Sequence, residues 1–155
     1  MNTETKLSLN RETVDALQEL IQVNIDSRDG FNEAASQLED MTISSMFRQL
    51  GEDRNEQASE LRTIVAANRE EPEDSGSMAA AAHRMLIDIR AALGGGIPVI
   101  LSEAERGEDW IKSKYEAVLK DTAGSAVNDV LLRHYAAVKA AHDRVRDMRD
   151  AYNEE

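Results

Sequence analysis

A metal pair, an acid–base dyad and a buried ion-pair network all need polar side chains on inward faces. In this chain such residues fall at matching places on four apolar stripes. Val14, Leu17 and Ile21 give way to Asn24, Asp26 and Arg28 before Phe31 and Ala35 resume. Phe47 and Leu50 give way to Arg54 and Gln57 before Leu61 and Ile64. Glu105 and Glu108 lie between Leu101 and Ile111, and His142 stands beside Ala141. Counting outward from the turns expected near residues 40 and 124 puts all of these groups at one height. Buried polar groups cost free energy unless paired, so four stripes should not fail together without compensation.

Two compensations suit these residue types. In the first, Glu105, Glu108 and His142 ligate iron or another divalent metal, since carboxylate and imidazole donors suit a dication. A di-iron bundle takes one Glu from each of two helices and a Glu-x-x-His from each of the other two. In the second, Arg28 and Arg54 pair with Asp26, Asp29, Glu105 or Glu108, with Asn24, Gln57 and His142 completing a polar mid-bundle layer. The residues favour the network, and with it a protein without a cofactor. The stretch holding Arg54 and Gln57 has no His. Lys139 stands three residues before His142, where the motif wants a carboxylate. Two arginines and a lysine would repel a dication.

Other chemistry has less support. The chain has no Cys, which removes disulfides, thiolate metal sites and thiol nucleophiles. No Ser is spaced for a nucleophile with a paired His and acid. Gly94-Gly95-Gly96 lacks the Lys and Ser/Thr of a phosphate loop and reads as a helix stop. His134 reads as a satisfied core histidine, His83 as a surface or interhelical contact, and Trp110 and Tyr115 as packing.

The elements that must position the layer are helical. Of 155 residues 41% are apolar and 4% aromatic, with 2 Pro and 8 Gly, a composition that suits helices and not an all-β fold. The stripes predict helix A over 11–38, with Asn10 as its N-cap, helix B over 42–69, helix C over 98–119 and helix D over 126–152. A short extra helix, capped by Ser77, is expected over 78–93. Short turns make A and B one antiparallel hairpin and C and D another, joined by a long crossover. One bundle domain over 1–155 is expected, with a simple up-and-down bundle as the alternative. A weak repeat aligns Asp26, Asp29 and Phe31 with Glu105, Glu108 and Trp110.

Charge bounds the partners. Eighteen Lys and Arg against 30 Asp and Glu give a formal net charge of −12, so neither nucleic acid nor an anionic membrane surface is expected as a partner. No apolar run reaches membrane-spanning length, and MNTETKLSLN has no apolar h-region, so neither a span nor a signal peptide is expected.

Thr13–Leu20 (TVDALQEL), Glu71–Ser77 (EPEDSGS), Glu105–Asp109 (ERGED) and Lys139–Asp150 (KAAHDRVRDMRD) together resemble an uncharacterised bacterial four-helix-bundle family of the ferritin-like superfamily, domain of unknown function 2383. The resemblance implies a ferritin-like, all-α four-helix bundle in a cytoplasmic, stress-associated bacterial protein. Of the superfamily's metal motif only His142 carries over by residue type, with Glu105 or Glu108 standing for the helix C carboxylate. The resulting expectation is a non-enzymatic bundle, a homodimer, acting through assembly or contacts with a protein partner. The alternative is a metal-binding protein of iron oxidation or iron handling.

Overall fold

The computed structural model describes residues 4–76 and 96–154. Four α-helices carry the described chain: α1 (Arg11–Gln37), α2 (Met41–Ala67), α3 (Ile97–Asp121) and α4 (Asn128–Asn153). Each lies within two residues of its expected bounds. The expected short helix over 78–93, with Ser77 and His83, lies outside the described residues.

Local chemistry sets the ends. Asn10 precedes α1 in extended geometry, but its side chain makes no capping bond to the helix. Asp40 does cap: its carboxylate accepts from Ile43 N at 2.9 Å, which starts α2 one residue earlier than the sequence suggested. Pro98 sits in the first turn of α3, where its missing N–H costs nothing. Gly124 takes φ +80° in the turn between α3 and α4, a left-handed conformation that favours glycine.

Helix α1 packs on α2 and on α3, and α3 packs on α4. This order around the bundle puts α2 and α3 across the diagonal. The stripes face inward as the spacing requires. Val14, Leu17, Ile21, Phe31 and Ala35 of α1 are buried, as are Ile43, Phe47, Leu50 and Leu61 of α2. So are Ile100, Ala104, Ile111, Tyr115 and Val118 of α3, and Leu131, His134, Val138, Ala141 and Val145 of α4.

The core is two apolar clusters. One joins the start of α1, the end of α2, the end of α3 and the start of α4. The other joins the opposite halves of the same helices. Helices α2 and α3 therefore run in the same sense, so the end of α2 and the start of α3 lie at opposite ends of the bundle. That is the long-crossover order, not the simple up-and-down one. Among the described residues, no helix is long and apolar enough to cross a membrane.

Candidate functional site

The gap between the two clusters is the polar layer. Its centre is Arg54, fully buried, whose Nη2 donates to Oε2 of the equally buried Glu108. Arg54 Nη1 donates to Gln57 Oε1 at 3.3 Å. Arginine's long stem lets an α2 residue reach α3 across the diagonal. Burial pushes the Glu108 carboxyl above its usual range, against the pull of Arg54 beside it. Arg54 Nε, Glu108 Oε1, Ser27 Oγ and Asn24 Oδ1 are buried without a hydrogen-bond partner among the described residues.

A second chain of hydrogen bonds begins next to this pair. Asn24 Nδ2 donates to Leu20 O at 2.8 Å and to Tyr115 Oη at 2.9 Å. Tyr115 Oη lies 3.1 Å from His134 Nδ1, and His134 Nε2 lies 2.6 Å from Glu60 Oε1. Since Tyr115 accepts from Asn24, its own O–H is free for Nδ1, and Nε2–H then faces the Glu60 carboxylate. Glu60 is gripped from outside by Arg133, at 2.9 and 2.7 Å. The chain thus visits α1, α3, α4 and α2 in turn. Burial lowers the His134 pKa, with Glu60 opposing. The Arg133 hydrogen bonds, opposed by burial and helped by His134, hold Glu60 down at about 2. Burial pushes Tyr115 up to about 12. A pocket of about 290 Å³ opens over Glu60 and His134, with Asp53, Glu56, Gln57 and Arg133 on its walls.

The third cluster lies at the edge, between α3 and α4. His142 Nε2 is 2.8 Å from Asp109 Oδ1 and 3.7 Å from Glu105 Oε1. His142 Nδ1 is 3.2 Å from Asp143 Oδ1. Arg149 Nη1 donates to the other Glu105 oxygen.

These positions correct the sequence reading in three places. Arg28 is not in the interior: it lies at the α1–α2 surface, bonding Asp29 at 3.0 Å and Asn55 at 2.9 Å. Asp26 is only partly buried and faces Gly76, where a methyl group would stand 1.9 Å from its Oδ1. His142 stands at the layer's height but on its rim, so Glu105 and His142 meet Asp109 and not Glu108. Asn24, Arg54, Gln57 and Glu108 are buried in the layer as expected. The proposed repeat is not matched in burial, because Asp29 is exposed where Glu108 is fully buried.

Sequence reasoning missed Asp109, Arg149, Glu60, Arg133 and Ser27. Asp109 carried a readable signal, since it lies one helical turn beyond Glu105 on the same face. Glu60 and Arg133 carried none, because their pairing joins two helices far apart in the chain.

A model of the family described as Domain of unknown function (DUF2383) matches residues 12–121. The match runs through α1 and α2 to the end of α3, so His134 and His142 lie beyond it. No curated protein matches the chain.

Proposed function

The chain belongs to the family described as Domain of unknown function (DUF2383), and from that premise we propose a non-enzymatic four-helix bundle that acts through protein contacts, as a homodimer, its centre closed by an ion pair. We place it with ferritin-like bundles by its chain order, and in the cytoplasm, in a stress-associated role, by the resemblance in its sequence.

The observation that carries this reading is Arg54. A ferritin-like centre would hold a metal pair between carboxylates and imidazoles of four helices. Here α2 offers a guanidinium and an amide at that height, and the guanidinium takes the α3 carboxylate for itself. Arginine stays charged at any working pH and repels a dication. On α4, Lys139 is exposed and His142 turns to the rim. The residues present do not fit a central metal pair.

Two measurements test the reading. Sedimentation equilibrium is expected to give twice the 17.2 kDa chain mass. Ferrous oxidation by oxygen or peroxide is expected to run at the buffer rate. A monomer at all concentrations would remove the assembly claim. A saturable ferrous oxidation that Glu108→Gln abolishes would replace this reading with the iron-handling one.

A further inference from the structure

We infer that Glu105, Asp109 and His142 form a surface site for one first-row transition-metal dication, such as Zn²⁺ or Mn²⁺, on the α3–α4 hairpin. The site stands apart from the proposed function, because it uses neither the bundle centre nor α2.

Spacing is the first argument. Donors bound to one ion at about 2.1 Å lie about 3.0 Å apart when adjacent in an octahedron and about 3.4 Å apart in a tetrahedron. Here His142 Nε2 is 2.8 Å from the Asp109 oxygen and 3.7 Å from the Glu105 oxygen. All three donor atoms lie within 4.8 Å of one another. The two His142 separations bracket the values an ion requires.

The second argument lies outside the three ligands. His142 Nδ1 meets Asp143 at 3.2 Å, the carboxylate–imidazole contact that leaves Nε2 as the metal-facing nitrogen. Asp143 is itself held by Arg146 at 3.3 Å. Arg149 holds the second Glu105 oxygen and so aims the first. The aimed groups are also largely shielded: side-chain exposure is 12% at His142 and 16% at Glu105. Asp109, 58% exposed, forms the open side through which an ion enters and where solvent completes the coordination.

Charge and donor type select the ion. Two carboxylates and a neutral imidazole give the triad a charge of −2, partly offset by Arg149. One nitrogen among the donors favours a transition-metal dication over Mg²⁺ or Ca²⁺, which prefer all-oxygen shells.

The test is calorimetric titration of chelator-treated full-length protein with ZnCl₂ and with MnCl₂. One ion per chain is expected. Asp109→Asn and His142→Gln should each weaken binding by about tenfold or more. Glu56→Gln, which removes a carboxylate from the α2 face, should leave it unchanged. Asp109 is exposed enough that its variant folds. Bound Mn²⁺ should broaden the His142 imidazole resonances before those of His134. Unsaturable uptake that both triad variants share with the parent would be diffuse attraction to an acidic surface and would overturn the site. So would one ion per two chains, or no binding.

Discussion

Replacing Glu108 with Ala should be among the most damaging single changes in this protein. Both side chains of the Arg54–Glu108 pair are wholly shielded from solvent. Truncation would leave a permanent positive charge in the bundle centre, with Gln57 Oε1 at 3.3 Å as its remaining acceptor. Removing one partner of a buried pair costs roughly 3–5 kcal/mol, mainly the penalty of the charge left behind. A domain's whole stability is about 5–15 kcal/mol. With a urea dependence of about 2 kcal/mol per molar, the midpoint should fall by about 2 M. Glu108→Gln keeps an acceptor and should lose less. Replacing both residues, as Arg54→Met with Glu108→Leu, removes both charges and should recover most of the loss, because apolar replacements of buried pairs are often neutral or stabilising. Urea denaturation at neutral pH on the four corners of this cycle measures the coupling. A Glu108→Ala cost below about 1 kcal/mol, the range of a surface ion pair, would refute the reasoning, as would additive costs in the double variant.

Three further outcomes follow from the neighbouring network. Tyr115→Phe leaves His134 Nδ1 without its partner and takes one of two acceptors from Asn24, so urea midpoints should report a loss of about 1–3 kcal/mol. Burial lowers the folded pKa of His134 below its unfolded value, so the unfolded chain takes up the proton first as the solution is acidified. Stability should be full above about pH 6.5 and decline as pH falls below it. Glu60, depressed to about 2, adds a further loss as pH drops from 4.5 toward 2. Denaturation midpoints between pH 8 and pH 5 check the His134 part, and His134→Gln should flatten that slope. Arg133→Ala breaks a pair that is 61% and 36% exposed, so it should cost under about 1 kcal/mol, and less in high salt.

The fold was legible because each helix repeats its apolar residues over many turns, and burial follows period alone. The buried members of the layer were legible by the same rule in reverse: Asn24, Arg54, Gln57 and Glu108 interrupt the stripes at inward positions. Arg28 and Asp26 broke the rule because they lie a little off the inward direction. Period places a residue on a face only to within a fraction of a turn, and Arg28's long side chain can turn outward to Asn55. His142 shows the same limit from the other side, since Ala141 takes the inward place and His142 the rim. The partners of His134 depend on which helices are neighbours, and a stripe does not say which other stripe it meets.

That gap in the stripe's information is what the polar residues fill. Apolar stripes of similar spacing accept one another at several offsets, so two hairpins could slide by a turn and still bury Leu and Ile. The Arg54–Glu108 pair joins α2 to α3 across the diagonal, and the Asn24–Tyr115–His134–Glu60 chain joins all four helices. A one-turn slip would separate a buried guanidinium from its carboxylate and the imidazole from both its partners. The unmade bonds would cost several kcal/mol, most of a domain's margin. On this argument the layer sets register more than it adds stability, a role seen for buried polar residues in other helical assemblies. The doubly apolar variant separates the two contributions. It should unfold at a similar urea concentration, while its amide NMR spectrum shows more than one conformer. A single sharp set of resonances would mean that the apolar packing and the Tyr115–His134 chain fix the register without the ion pair.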